Sequence, residues 1–287
     1  MTHQTPAPTI ARTLASLQSQ GLDRLDAQLL LLHTLNQPAH HRAWLLAHDT
    51  DAVDAAALQR LNELVRRRQN NEPLAYLTGR KEFYGLDLQV DGRVLVPRPD
   101  TETLVDWALE VLMALRPPLA IPVLDLGTGS GAIALALKAT RPDLQVNALD
   151  YSDDALAVAR ANAQRLQLDV HFSQGSWLTG VQAHHQLIVS NPPYIAALDP
   201  HLAALTHEPL QALASGVDGL DDLRQIIGQA PRCLQPGGWL LLEHGYDQAP
   251  AVRSLLTQAG FIDVQSRCDL SAIERCSGGR MAAASLP

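Results

Sequence analysis

The sequence reads Asp125-Leu126-Gly127-Thr128-Gly129-Ser130-Gly131 directly before the apolar stretch Ala132-Ile133-Ala134-Leu135. The apolar residues on both sides predict a buried strand, a glycine turn and a helix, in that order. Glycine has no Cβ, so the turn can be tight and a ligand can approach the backbone closely. The next predicted strand ends at Asp150, about twenty residues further on, where a carboxylate can accept hydrogen bonds from both hydroxyls of a ribose. This pattern predicts a site for a cofactor that contains a nucleoside.

The glycine turn alone leaves the identity of the cofactor open. Gly127, Gly129 and Ala132 also satisfy the dinucleotide pattern G-x-G-x-x-A, so a nicotinamide enzyme is an alternative. S-adenosylmethionine is favoured because Asp125 lies two residues before the first glycine. S-adenosylmethionine contains no phosphate, so the helix N-terminus does not need to bind a pyrophosphate.

The sequence around this turn alternates between short apolar runs and amphipathic stretches. Strands are predicted at 123–126, 145–149, 170–172, 187–189 and 239–242, and helices at 131–139, 153–166, 220–233 and 249–259. This alternation predicts an α/β fold with a doubly wound, Rossmann-like, mainly parallel sheet and helices on both faces. Ligands of such sheets bind beyond the carboxyl ends of the strands.

The residues before this domain have a different pattern. Apolar residues recur at helical spacing from 9 to about 69, which predicts a small helical bundle. Alternating residues at 86–90, Asp91-Gly92 and a second apolar run at 94–96 predict a β-hairpin. We therefore expect a helical domain at 1–80, a hairpin linker at 81–99 and a catalytic domain at 100–287.

A second motif follows the apolar strand at 187–189, where the sequence reads Ser190-Asn191-Pro192-Pro193-Tyr194. The two prolines fix φ and remove N–H donors, so the carbonyls of Asn191 and Pro192 are rigid acceptors. Together with the Asn191 side-chain oxygen they suit an NH₂ group, whose N–H groups become more positive as its nitrogen attacks a methyl carbon. Tyr194 offers a flat face for a planar amide or amine. Asn191, Pro192 and Tyr194 are thus the predicted catalytic residues, and neither a metal nor a strong general base is expected.

Composition narrows the range of partners and compartments. The net charge of −8 and the pI near 5.7 argue against a wide basic face for nucleic acid. The three cysteines are odd in number and show no Cys-x-x-Cys spacing, so we expect neither a disulfide framework nor a structural zinc site. No signal-type or membrane-spanning apolar run is present. We expect a cytoplasmic monomer without direct nucleic-acid or membrane binding.

These and further motifs resemble the release factor glutamine methyltransferases, the PrmC or HemK family, over nearly the whole chain. Asn-Pro-Pro-Tyr alone is shared with DNA adenine and RNA methylases, but the full set is specific. The matching segments are 72–79 with Glu82-Phe83, 96–102, 125–131, 191–194, Glu208-Pro209, 216–220 and 240–245.

The resemblance implies a seven-stranded class I methyltransferase sheet and transfer of a methyl group from S-adenosylmethionine. The acceptor would be the side-chain amide (N5) of the glutamine in the Gly-Gly-Gln motif of class-1 peptide release factors. The implied cofactor contacts are Gly127, Thr128, Gly129, Ser130, Gly131, Asp150, Trp177 and Asn191, and the implied substrate contacts are Asn191, Pro192, Pro193 and Tyr194. The helical domain would dock the protein substrate. The family often has an acidic residue where this chain has Ser176, so the adenine amino group would meet a hydroxyl, a backbone carbonyl or water there.

Three alternatives remain open at this point. A glutamine methyltransferase of a ribosomal protein shares the catalytic domain, but the segment 98–102 favours release factors. An N6-adenine DNA methylase is disfavoured by the acidic charge balance and by the lack of a basic target-recognition insert. A non-enzymatic adapter of the release factor would fail to bind S-adenosylmethionine.

Overall fold

The computed structural model of the chain describes residues 7–113 and 121–283. The predicted domains also include residues 1–6, 114–120 and 284–287, which lie outside the described part. The chain divides into two compact units, Met1–Gly79 and Arg80–Pro287.

The first unit is helical, in agreement with the periodicity of its sequence. Its core contains Leu30, Leu31 and Leu61, which are at most 1% exposed. The Asp54 side chain caps the fourth helix by accepting a hydrogen bond from the Ala57 N–H at 2.7 Å. The helices are α1 Ile10–Ser19, α2 Arg24–Thr34, α3 Arg42–Ala47, α4 Ala55–Gln69 and α5 Leu74–Thr78.

A two-stranded antiparallel hairpin opens the second unit, formed by β1 Arg80–Phe83 and β2 Leu86–Gln89. The strands predicted at 86–90 and 94–96 are therefore wrong as a pair: 86–89 is the second strand, and 94–96 is no strand. Tyr84 and Gly85 form the turn with φ of 50° and 74°, the left-handed conformation of two-residue hairpin loops. Asp91-Gly92 also forms a turn, but the chain after it bonds elsewhere, since the Val96 N–H donates to the Glu208 carboxylate at 3.1 Å.

The rest of the second unit is built on one seven-stranded sheet with the order β5-β4-β3-β6-β7-β9-β8. The first five strands in this order run parallel, and β9 runs antiparallel to both of its neighbours. The predicted α/β, doubly wound, mainly parallel sheet is thus confirmed. Its strands are β3 Pro122–Leu126, β4 Gln145–Asp150, β5 His171–Gln174, β6 His185–Ser190, β7 Leu234–Glu243, β8 Ile262–Cys268 and β9 Glu274–Arg280.

Helices cover both faces of the sheet because successive strand residues point to opposite sides. Val123 and Val189 pack with helices α6 to α8, while Leu126 and Ile188 pack with α9 and α10. Burial on both faces explains the nearly continuous apolar runs of the central strands. The helices are α6 Glu102–Met113, α7 Ala132–Thr140, α8 Asp153–Leu166, α9 Asp221–Gln229 and α10 Ala249–Gln258.

Strand β3 lies between β4 and β6, so the chain winds away from it in both directions. At such a switch point, the loops at the carboxyl ends of the strands diverge and leave a crevice. The glycine turn follows β3, and the Asn191 loop follows β6. The topology therefore brings the two predicted functional motifs to one edge of the sheet. A bilayer-length apolar helix is not found in the described ranges.

Candidate active site

The turn after β3 has a backbone that only glycine adopts easily. Gly127 and Gly131 have φ of 67° and 85°. A Cβ on Gly127 would lie 3.2 Å from the Trp177 ring, and one on Gly131 would lie 3.0 Å from Leu135 Cδ1. Gly127 is thus required beside the cavity described below, and Gly131 is required for packing of the helix that follows.

The polar side chains of this turn face the protein interior. The fully buried Asp125 carboxylate accepts hydrogen bonds through Oδ2 from the Thr128 hydroxyl at 2.6 Å and the Ala134 N–H at 3.2 Å. Burial raises the pKa of Asp125 to about 7, although both hydrogen bonds oppose the shift. Ser130 is also buried, and its carbonyl accepts a hydrogen bond from Asn162 Nδ2 at 3.0 Å. Thr128 and Ser130 therefore shape the turn from the inside.

Asp150, at the end of β4, is tied to the same turn. Its Oδ2 accepts a hydrogen bond from the Gly129 N–H at 2.8 Å, and its Oδ1 accepts one from the Ser152 N–H at 2.9 Å. Burial raises the pKa of Asp150, and these backbone bonds oppose the shift. A carboxylate oxygen can accept more than one hydrogen bond, so each oxygen retains capacity for a ligand hydroxyl.

A cavity of about 340 Å³ opens between the turn, Asp150 and the Asn191 loop. Its volume lies in the range of small-molecule sites. Gly127 and Gly129 provide close backbone approach on one side, and the Asp150 carboxylate provides acceptors, so the residues present fit a nucleoside-containing ligand. The lining also includes Arg93, Val94, Leu95, Leu149, Tyr151, Ser152, Ala155, Gly175, Ser176, Trp177, Asn191, Pro193, Pro209, Gln211, Ala212, Asp222 and Gln225.

Trp177 lies over Gly127 at the cavity wall, and a hydrogen bond to Asp222 fixes its ring. Its indole N–H donates to Asp222 Oδ1 at 2.9 Å, and the Asp222 N–H donates to the Ser215 hydroxyl at 2.8 Å. Its backbone has φ of 48°, which is unusual for an aromatic residue. Ser176, at the position where the resemblance implies an acid, also lines the cavity.

The Asn191 loop reaches the cavity through two of its residues, Asn191 and Pro193. The Asn191 amide nitrogen Nδ2 donates a hydrogen bond to the Thr101 hydroxyl at 3.1 Å. Since the other branch of the planar amide is its oxygen, Oδ1 is directed away from Thr101. Pro192 is buried and does not line the cavity.

Tyr194 lies outside the lining of the cavity and packs against the core of the α9–α10 face. Its hydroxyl donates to Glu243 Oε1 at 3.3 Å, and its carbonyl accepts a hydrogen bond from Gln248 Nε2 at 3.0 Å. Burial, followed by the Glu243 charge, raises the pKa of Tyr194. The structure thus brings Asn191 and Pro193 to the cavity and holds Tyr194 behind them.

Two buried acids of this unit have no role that the sequence pattern predicts. Glu243, at the end of β7, is 1% exposed, and burial raises its pKa to about 7. Glu208 accepts hydrogen bonds from the Val96 N–H at 3.1 Å and from Arg98 Nη2 at 2.5 Å. In the sequence, Glu243 is visible only as an acid at the end of an apolar strand, and Glu208 only as an acid before a proline. Neither pattern predicts a hydrogen-bond partner distant in the chain.

Comparison with known proteins agrees with this two-part organisation. The family described as "Methyltransferase small domain" matches residues 101–259. The family described as "PrmC N-terminal domain" matches residues 9–79. The first match contains both the glycine turn and the Asn191 loop.

Individual relatives match over nearly their whole length. The release factor glutamine methyltransferase of Burkholderia pseudomallei is 47% identical, with 96% of this chain and 98% of the relative covered. That of Bordetella pertussis is 50% identical, with 92% and 97% covered. Among solved structures, a methyltransferase from Pyrococcus furiosus shares the fold, with a TM-score of 0.52, 17% identity and coverage of 76% of this chain and 97% of that one. On the sequence matches, this chain belongs to the release factor glutamine methyltransferase family.

Proposed function

We propose that the protein transfers a methyl group from S-adenosylmethionine to the side-chain amide nitrogen of the glutamine in the Gly-Gly-Gln motif of class-1 peptide release factors. The release factor comes from the printed names of its relatives. The observation that carries the chemistry is the position of Asn191, whose amide lies at the wall of a cavity that fits a nucleoside. A substrate amide bound at this wall, as the methyl acceptor, would lie beside the methyl donor.

Residues of the two strand ends would hold the cofactor. Gly127 and Gly129 allow close approach of the methionine portion to the backbone, and Asp150 would accept hydrogen bonds from the ribose hydroxyls. Trp177 offers an aromatic face for the adenine. Thr128, Ser130 and Gly131 contribute by fixing the turn. When bound, the cofactor would supply a methyl group activated by a positively charged sulfur. The N–C bond forms as the C–S bond breaks, the sulfur leaves as a neutral thioether, and the proton lost from the amide nitrogen passes to water.

The Asn191 loop would orient the acceptor. An amide nitrogen is a weak nucleophile because its lone pair is delocalised, so the protein must aim it and stabilise the positive charge that develops on its N–H groups. The Asn191 side-chain oxygen would accept one of these N–H groups. The Pro192 carbonyl would accept the other, although the residue itself does not line the cavity. Fixed acceptors stabilise the transition state more than the ground state because the charge grows along the reaction. Pro193 lines the cavity and would pack against the substrate. Tyr194 lies behind this lining, so its ring would supply a flat face only after the loop moves on substrate binding.

The helical unit would dock the release factor, and the enzyme would act as a cytoplasmic monomer without direct binding of nucleic acid. The acidic charge balance supports the part of this proposal that concerns nucleic acid.

A competition assay tests the proposed substrate. The enzyme is incubated with labelled S-adenosylmethionine and equal amounts of a class-1 release factor, a ribosomal protein and duplex DNA. We expect label on the release factor alone. Label on the ribosomal protein or on the DNA instead would overturn the substrate assignment, and failure to bind the cofactor in calorimetry would overturn the enzymatic one.

A further inference from the structure

Asn191 is connected through Thr101 to a buried acid. Thr101 and Glu243 are 4% and 1% exposed. The Thr101 hydroxyl accepts the Asn191 amide N–H at 3.1 Å. The Tyr194 hydroxyl donates to Glu243 Oε1 at 3.3 Å, and the Thr101 hydroxyl is close enough to the carboxyl group to lower its pKa. The second carboxyl oxygen, Oε2, is buried and has no hydrogen-bond partner within the described residues.

Because the Thr101 hydroxyl has a single proton, it can donate to only one of its two neighbours, Asn191 and Glu243. A hydroxyl donates one hydrogen bond and accepts others. While Glu243 is ionised it can only accept, so the Thr101 proton is expected to turn toward it, which keeps a Thr101 lone pair for Asn191. Only the NH₂ end of the Asn191 amide can occupy that position. The amide oxygen is then held on the opposite side, where the proposed function requires an acceptor.

Protonation of Glu243 would remove this constraint. A neutral carboxyl group can donate to Thr101, whose hydroxyl is then free to donate to the Asn191 oxygen. The amide could rotate by half a turn and present its NH₂ group to the substrate NH₂ group. Two donors facing each other form no hydrogen bond, so this orientation does not support transfer.

We propose that Thr101 and Glu243 are positioning residues that hold the Asn191 amide with its oxygen turned toward the substrate, an inference that rests on the proposed function. Neither touches the reacting atoms, and both act through Asn191. Thr101 is suited to this role because the 3-10 turn Pro99–Thr101 fixes it before α6. Glu243 is suited because it ends β7, the neighbour of β6 in the sheet.

Other charged groups face Glu243 and contribute to its ionisation. Burial is the largest effect and raises its pKa to about 7. Asp100 also raises this pKa, whereas Arg275 lowers it and forms an ion pair with Asp100 at 3.5 Å. The Tyr194 hydroxyl donates to the carboxyl group at 3.3 Å, and Cys276 pairs with Glu243 across β7 and β9. The pKa values of both Tyr194 and Cys276 are raised. Ionised Glu243 therefore predominates only above about pH 7, so kcat is expected to rise with pH through this region.

The test compares steady-state methylation of a release factor by the full-length wild type, Thr101→Val, Thr101→Ser and Glu243→Gln between pH 6 and 9. Thr101→Val and Glu243→Gln should lower kcat roughly tenfold, the loss expected for one hydrogen bond, with the KM for S-adenosylmethionine unchanged. Thr101→Ser keeps the hydroxyl and should restore kcat. Thr34→Val is the matched control, because Thr34 is equally buried at 4% and donates only to the Leu30 carbonyl of its own helix.

The pH profile separates positioning from simple structural damage. The rise of kcat through about pH 7 should disappear in Glu243→Gln, although Asp125, with a similarly raised pKa, is intact there. A Thr101→Val enzyme with wild-type kcat, or a Glu243→Gln enzyme that keeps the rise, would overturn the positioning role. A wild type that binds the cofactor but methylates no release factor would instead overturn the proposed function.

Discussion

Asn191 lies at the carboxyl end of β6 with its amide nitrogen bonded to Thr101 and its amide oxygen on the opposite side. Truncation to alanine removes this oxygen but leaves the glycine turn and Asp150 untouched. We therefore predict that Asn191→Ala retains S-adenosylmethionine binding, while kcat falls by about two to three orders of magnitude, as for loss of one transition-state hydrogen bond. Calorimetry and single-turnover methylation measure the two quantities. Near-normal turnover would exclude the proposed role of Asn191.

Glu243 should also make the stability of the protein depend on pH. Its pKa is about 7 in the folded chain and 4.5 as the ordinary value. Between these values the unfolded chain has released a proton that the folded chain retains, so the free energy of unfolding falls as pH rises from about 4.5 to 7 and then levels off.

Glu243→Gln cannot titrate, so it should be more stable relative to the wild type at pH 8 than at pH 5. Urea unfolding at both pH values measures this difference. Identical pH dependence in the two proteins would show that folding does not raise the pKa of Glu243.

At the scale of secondary-structure elements, Asn162 of α8 joins the hairpin to the cofactor turn. Its Oδ1 accepts from the Gln89 N–H at 2.7 Å, and its Nδ2 donates to the carbonyls of Gln89 at 2.9 Å and Ser130 at 3.0 Å. The side chain is fully buried. It therefore satisfies backbone groups of β2 and of the turn at the same time.

Asn162→Ala should lower the free energy of unfolding by about 2–3 kcal/mol, because buried backbone groups lose their partners. It should also weaken cofactor binding, since the Ser130 carbonyl is released. The matched control is Gln164→Ala on the exposed side of α8, where a change within about 0.5 kcal/mol is expected. Equal stability of the two variants in urea would contradict the linking role of Asn162.

The sequence predicted elements better than it predicted their connections. The apolar runs located β3 and β6 because strands buried on both faces are almost wholly apolar. The hairpin was misplaced because Asp91-Gly92 is a common turn pair, whereas Tyr84 adopts a left-handed conformation with no typical sequence signal.

Within the site, the glycine turn, Asp150 and Asn191 were identifiable because each directly follows a strand. The contact from Asn191 to Thr101 was not, because Thr101 belongs to a turn far earlier in the chain. Asn162 was missed for the same reason: its partners lie on β2 and in the cofactor turn. A single sequence shows which residues are neighbours along an element, but not which polar groups the fold pairs across it.

At the scale of the whole molecule, each of the two compact units has its own hydrophobic core. Residues 10–77 supply one core cluster, and the other two clusters contain only residues from 83 onward. A chain of residues 80–287 is therefore expected to fold and to bind S-adenosylmethionine with unchanged affinity.

Its kcat/KM for the intact release factor should fall at least about tenfold, which corresponds to about 1.4 kcal/mol of docking free energy. Its kcat/KM for a short Gly-Gly-Gln peptide should stay unchanged, because the peptide has no surface for the helical unit. Equal losses for both substrates would assign the helical unit a role in catalysis instead of docking.

The most direct test of the proposed reaction is tandem mass spectrometry of a class-1 release factor after incubation with the enzyme and S-adenosylmethionine. We predict one added methyl group, located on the side-chain nitrogen of the glutamine in the Gly-Gly-Gln motif, with the modification nearly absent when Asn191→Ala replaces the wild type. A release factor that stays unmodified, or that carries the methyl group on another residue, would contradict the account.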